Sequence, residues 1–153
     1  MSTSAFDAYA ATYDGWFLKN LQVLHSEVAL LAHVLQNPGR TLSVGCGSGL
    51  FELLLRQDYG IVIHEGIEPS ERMAAIASKR GLNVHLGTAE ATDFGHAVFD
   101  TVLFNGTTSY MPDLGLVFGK AYRALKPGGR IVVADVPKES SYAMLYTLAR
   151  LVQ

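Results

Sequence analysis

Residues 41–55, TLSVGCGSGLFELLL, constrain the fold more than any other stretch. An apolar run, Thr41–Val44, ends in three glycines at alternating positions, Gly45, Gly47 and Gly49, and a helical run, Leu50–Arg56, follows at once. That layout is a strand, a tight turn and a helix start. Glycines in such a turn remove side chains, so backbone N–H groups approach whatever lies above them. The stretch commits the chain to a βα unit and points to a nucleoside-type ligand.

The alternation then continues. The pattern predicts strands at Ile61–Ile67, Asn83–Leu86, Thr101–Phe104 and Arg130–Val136. It predicts helices at Ser70–Arg80, with Ser70 as N-cap and Gly81 as stop, at Leu114–Leu125, ended by Lys126-Pro127-Gly128-Gly129, and at Ser140–Val152. Upstream, Leu18, Leu21, Leu24, Val28, Leu31 and Leu35 recur every three or four residues and predict one amphipathic helix over 17–36. Residues 6–16 are aromatic and polar without a clear period. Strands alternating with helices give an α/β fold: a Rossmann-like, doubly wound, mostly parallel sheet with helices on both faces. Residues 1–40 form an N-terminal aromatic lid segment and helix, and residues 41–153 the ligand-binding domain. The strand at 130–136 is β-branched. At a sheet edge it needs cover, from a further segment or from a second copy in a homo-oligomer.

Composition narrows the partners. The net charge of the 153 residues is −2, without a Lys/Arg cluster, so there is no electrostatic case for nucleic acid. The single cysteine, Cys46, excludes an intrachain disulfide and fits a reducing compartment. No apolar run approaches the ~18–20 residues of a membrane span, and Met1–Ala11 lacks the features of a signal peptide. The expectation is a cytoplasmic protein. His25 and His33 have no companion at metal-ligand spacing, and no metal is expected.

Four features fall at predicted strand ends: the glycine turn, then Glu68-Pro69, then Thr88-Ala89-Glu90, then Asn105-Gly106-Thr107. In an open parallel sheet those ends form the ligand-binding rim. Glu68 lies 19 residues after Gly49, the placement of a carboxylate that accepts ribose hydroxyls. A dinucleotide fingerprint needs glycine at position 50 or 52, which hold Leu50 and Glu52. Glu52, in the first helical turn, would also repel a pyrophosphate. A P-loop fails because no Gly-Lys-Ser/Thr follows the turn. A sulfonium nucleoside, which carries no phosphate, fits better.

At this point the residues resemble a family. The strings TLSVGCGSG, HEGIEPSERM, HLGTAEATDF, FDTVLFNGTTSYMPD and RALKPGGRIVVAD, in that order from about residue 41 to 135, resemble class I S-adenosylmethionine-dependent methyltransferases of the small-molecule type related to ubiquinone/menaquinone biosynthesis. FDAYAATYDGWF is similar to the family's aromatic N-terminal segment. The resemblance implies that S-adenosylmethionine is the cofactor and S-adenosylhomocysteine the product. It implies that the backbone around Gly45, Cys46, Gly47 and Gly49 lies against the methionine and ribose, and that Glu68, followed by Pro69, binds the ribose. Thr88, Ala89 and Glu90 would line the adenine pocket, Asn105 and Gly106 would face the reacting centre, and Tyr13 and Trp16 would close over the site. It also implies two further strands after β130–136, which this chain lacks. Two positions depart from the family pattern: Ser43 and Thr88 stand where an acidic residue is common.

Methyl transfer from a sulfonium is an in-line displacement in which the cofactor carries the reactivity and the protein supplies position and electrostatics. Tyr110, His96 and Asp113, with Tyr13, are the candidate acid, base or acceptor-binding groups. The Asn105-Gly106-Thr107-Thr108 run lacks the Pro-Pro of adenine-amino DNA methyltransferases, and no Pro-Cys nucleophile is present. The expected acceptor is a small molecule. The competing expectations are a cofactor-binding but inactive or regulatory subunit and, behind it, an NAD(P)-dependent Rossmann enzyme.

Overall fold

The computed structural model describes residues 3–135, and the helix expected at 140–152 lies outside them. In chain order the elements are α1 (Thr3–Lys19), α2 (Leu21–Val34), β1 (Thr41–Val44), α3 (Leu50–Tyr59), β2 (Glu65–Glu68), α4 (Glu71–Lys79), β3 (Asn83–Leu86), β4 (Phe99–Asn105), a 3-10 turn (Thr108–Tyr110), α5 (Leu114–Ala124) and β5 (Leu125–Ala134). The five strands form one sheet in the order β3-β2-β1-β4-β5, and every pairing is parallel. This is the doubly wound, Rossmann-like arrangement expected from the sequence. The strand order reverses at β1, between β2 and β4, so a crevice opens beyond the carboxyl ends of β1 and β4.

Central position explains why β1 is buried at all four residues. Leu42 and Val44, with Val102 and Phe104 of β4, pack against Val117, Ala121 and Ala124 of α5. On the opposite face, Leu103 and Val132 pack with Leu24, Val28, Leu31 and Leu35 around α2, Leu55 of α3 and Ala77 of α4. The two clusters are the two faces of the sheet, each closed by helices. Ser70 caps α4 by accepting from the Met73 N–H at 3.2 Å, as its position before the helix predicts.

Three boundaries differ from the sequence pattern for identifiable reasons. The helix expected over 17–36 is two helices, broken at Asn20, whose side chain donates to the Trp16 carbonyl at 2.8 Å. Leu18 and Leu21 are exposed, while Leu24, Val28 and Leu31 are buried. The helix α1 shows no apolar period because it docks mainly through polar contacts: Asp7 on Ser70 and Asp14 on Ser48, with Ala10 buried between and Phe17 packed edge-on against Phe51. The second strand pairs only over Glu65–Glu68, because residues 61–64 are spent bringing the chain up from the end of α3, where the Ile61 N–H still bonds the Leu55 carbonyl. Lys126–Gly129, expected to separate the helix from a strand starting at Arg130, lies instead inside β5 as an excursion: Phe99 pairs with Leu125 and Thr101 with Arg130. The Lys126 ammonium anchors this bulge on Asp100 at 2.8 Å.

Gly66 marks where β2 passes under the glycine turn. A Cβ there would lie 2.6 Å from the Cys46 Sγ and 2.8 Å from Leu82 Cδ2, both in the core. Gly66→Ala should therefore cost about 1–3 kcal/mol through overpacking. Urea unfolding should show a lower midpoint with an unchanged m-value.

Candidate functional site

The three glycines of the turn do different work. Gly45 (φ +73°) lies so close to the loop after β4 that a Cβ would meet Thr107 Cγ2 at 2.7 Å, and the Thr107 hydroxyl donates to the Val44 carbonyl at 3.1 Å. A Cβ on Gly49 would meet the Ala77 Cβ at 3.1 Å, so Gly49 lets α3 start against α4. Nothing lies within 4 Å of a Cβ built on Gly47. Gly47 alone of the three presents open space, a cradle beside the turn.

Glu68, at the tip of β2, faces that cradle. One carboxylate oxygen accepts from the Gly47 N–H and the other from the Ser70 N–H, each at 2.9 Å. Burial pushes its carboxyl up from the usual range, against the pull of those two bonds. Each oxygen keeps a lone pair after its backbone bond, which suits a vicinal diol. The turn is held down from the other side as well, since the Gly45 and Cys46 N–H groups donate to the Ile67 carbonyl at 2.8 and 3.1 Å.

The other strand-end residues surround the same crevice. Gly106 (φ +65°) follows β4 with nothing within 4 Å of a built Cβ, and Asn105 is half-buried beside it. After β3, the Thr88 hydroxyl accepts from the Ala91 N–H at 3.2 Å and shapes the turn that carries Ala89 and Glu90. Ala89 is buried, Pro69 half-buried. The Glu90 Oε1 is buried with no hydrogen-bond partner. The Tyr13 ring is 40% exposed, and its phenol is pushed up first by burial and then by Tyr110, Asp14 and Glu68. Tyr13 lies on α1 and Tyr110 in the 3-10 turn after β4. Trp16 is half-exposed and stands edge-on to Phe17.

His96, Asp113 and Cys46 have different surroundings. His96 is exposed in the loop that enters β4, at the opposite end of that strand from Asn105. Asp113 caps α5, accepting from the Leu116 N–H at 2.8 Å. Cys46 is buried with its sulfur against Gly66, and burial pushes its thiol far up, which suits packing and not nucleophilic attack. Glu52 requires a correction. Its carboxylate does not repel ligands at the mouth of α3; it turns back to Ser43 of β1, whose hydroxyl donates to it at 2.7 Å, and both residues are buried. Ser43 is thus the partner of a carboxylate supplied by the next helix.

Two contributions were not visible as motifs. The Lys120 ammonium of α5 donates to the carbonyls of Thr92 at 2.9 Å, Ala89 at 3.4 Å and Glu90, fixing the turn after β3. Asp14 and Arg80 meet at Ser48 inside the glycine turn. Lone charges on helices have no spacing that identifies such contacts. The only available signal was Asp14 itself, a carboxylate amid an aromatic run. Among the described residues there is no cluster of three or more metal-ligating side chains, and no helix is long and apolar enough to cross a membrane.

The chemistry of the donor set is compatible with S-adenosylmethionine: a carboxylate with free lone pairs, an open glycine, and an Arg80 already engaged by Asp14 and Ser48. Comparison with known proteins agrees. A family model described as Methyltransferase domain matches residues 17–152. An uncharacterised protein of Methanocaldococcus jannaschii is 33% identical over 144 residues, covering 94% of this chain and 66% of the relative. The ubiquinone biosynthesis O-methyltransferase of Rhizobium etli is 31% identical over 117 residues, covering 72% of this chain and 46% of the relative. A crystal structure from Thermotoga maritima, described as a SAM-dependent methyltransferase and possible histamine N-methyltransferase, is 34% identical with a TM-score of 0.84, covering 97% of this chain and 68% of that one. The chain therefore spans about half to two thirds of the length of these proteins.

The Glu52–Ser43 pair yields a pH test. Burial raises the Glu52 carboxyl above its ordinary value, so the folded state binds its proton more tightly than the unfolded state. The stability this contributes is full below about 4.5, the unfolded value, and is lost as pH rises through the folded value. Glu52→Gln keeps an acceptor for Ser43 and removes the ionisation. It should be more stable than the parent at pH 7.5, with the gap closing toward pH 4.5, as measured by urea unfolding at both.

Proposed function

The chain belongs to the S-adenosylmethionine-dependent methyltransferase family, and on that premise we propose that it transfers a methyl group to a small-molecule acceptor by in-line displacement. The observation that carries the proposal is Glu68, held by the Gly47 and Ser70 N–H groups beside the open face of Gly47. When bound, the cofactor supplies an electrophilic methyl on sulfur and a thioether leaving group.

The residues divide the remaining work. Glu68 accepts the ribose hydroxyls and sets the nucleoside's orientation. The turn carrying Thr88, Ala89 and Glu90, clamped by Lys120, walls the nucleobase. The backbone of Gly45–Gly47 and the open Gly106 take the amino-acid portion, with Asn105 beside it. Tyr13, Trp16 and Tyr110 border the mouth, where they exclude water and orient the acceptor. Orientation is the main lever for a displacement that needs three atoms in line. A small acceptor is supported by the relatives whose names specify one, the ubiquinone enzyme of Rhizobium etli and a phosphoethanolamine N-methyltransferase of Caenorhabditis elegans. The single cysteine, buried and unpaired, is compatible with work in a reducing cytoplasm.

Calorimetry with S-adenosylhomocysteine tests the proposal. The parent chain should bind it and should not bind NAD(H). Hydrogen bonds to a charged acceptor are worth about 1.5–3 kcal/mol, so Glu68→Ala should weaken binding roughly ten- to 150-fold. A folded parent that ignores S-adenosylhomocysteine refutes the function; an unchanged affinity in Glu68→Ala refutes the ribose role.

A further inference from the structure

Arg80 ends α4, outside the crevice, yet its guanidinium reaches into the glycine turn. Its Nη1 donates to both the carbonyl and the hydroxyl oxygen of Ser48, each at 2.8 Å. Its Nη2 lies 2.5 Å from Asp14 Oδ2 on α1. The Ser48 hydroxyl donates to the other Asp14 oxygen at 2.6 Å. These contacts close a ring of three side chains from three segments. Ser48 is 2% exposed, and Arg80 and Asp14 are largely shielded. The planar fork of arginine serves two oxygens on one residue and a carboxylate on another at once; lysine offers a point charge without that geometry.

The ring sits where conformational freedom is greatest. Ser48 lies between Gly47 and Gly49, both at positive φ. Without a clamp, such a turn samples many backbone states, and a ligand that needs one of them binds more weakly by the cost of ordering it. The second anchor of α1 ends in a similar place. Asp7, seven residues before Asp14 and so on the same face of the helix, accepts from the Ser70 hydroxyl at 2.6 Å, and the Ser70 N–H holds Glu68. Both carboxylates of α1 therefore fasten to residues adjoining the cradle.

We propose that Arg80 is a positioning residue: through Ser48 it fixes the glycine turn, and through Asp14 it docks α1, coupling cofactor affinity to the placement of that helix. The inference rests on the cofactor reading of the same crevice. Coupling is reciprocal, so the ligand should in turn steady α1. Trp16, on α1, is the chain's only tryptophan and reports this directly.

The experiment combines S-adenosylhomocysteine calorimetry with iodide quenching of Trp16, on the full chain and on Arg80→Met, Arg80→Lys, Asp14→Asn and Arg80→Met/Asp14→Asn. Loss of a preorganising contact of this kind should weaken binding about tenfold in each single variant, lysine included, and the double variant should lose little more. In the parent, the ligand should protect Trp16 from iodide; in the variants that response should vanish. If a charge variant fails to fold, Ser48→Ala, which removes only the hydroxyl, should still abolish the Trp16 response. Unchanged affinity in folded variants with lowered melting temperature would reduce Arg80 to a structural role and overturn the inference, as would fully additive losses or an undiminished Trp16 response. A parent that does not bind S-adenosylhomocysteine overturns the inference together with the function.

Discussion

One carboxylate at the end of β2 ties the turn after β1 to the start of α4. Glu68 receives the Gly47 N–H from the turn after β1 and the Ser70 N–H from the start of α4. Its burial is unfavourable for the ionised form, so the two backbone donors are needed to hold a carboxylate there at all. Remove the parallel pairing of β1 with β2 and those donors no longer converge. The sheet order thus does more than build a core: it sets the Glu68 carboxylate against Gly47, the glycine of the turn with open space beside it.

Much of this was legible in the residues. The glycine turn, the alternation of strand and helix, the Ser70 cap and the convergence of strand ends all follow from local patterns with short-range causes. The expected two-faced sheet is present in the described residues. What was not legible shares one physical character. The helix α1 has no apolar stripe because it is fastened by Asp7 and Asp14 to hydroxyls distant in sequence. Lys120 clamps three carbonyls some thirty residues away. Glu52 reads as a repelling charge at a helix start until its rotamer is known, and then proves to be a buried partner of Ser43. Periodicity reports burial of apolar surface; it is silent about where a single long polar side chain ends.

The division between apolar and polar fastening follows the architecture. α2, α3 and α5 cover the sheet mainly with apolar side chains, to which α3 adds the buried bond between Glu52 and Ser43. The segments around the crevice, α1 and the turn after β3, are pinned by charged side chains on carbonyls and hydroxyls instead. Directional bonds fix geometry without filling the space they surround, which is what a cavity rim requires.

The unequal roles of Gly45, Gly47 and Gly49 bear on what a sequence signature records. Two of the three are kept small by protein atoms, Thr107 in one case and Ala77 in the other, while at Gly47 only the backbone's positive φ asks for glycine. A pattern search that scores the three alike is therefore weighted two to one toward how α3 and the loop after β4 pack. A descendant that had ceased to bind any nucleoside would still be forced to retain Gly45 and Gly49, and would still match. The middle glycine is the letter on which no neighbouring side chain presses: the backbone's φ of +56° is what holds it to glycine.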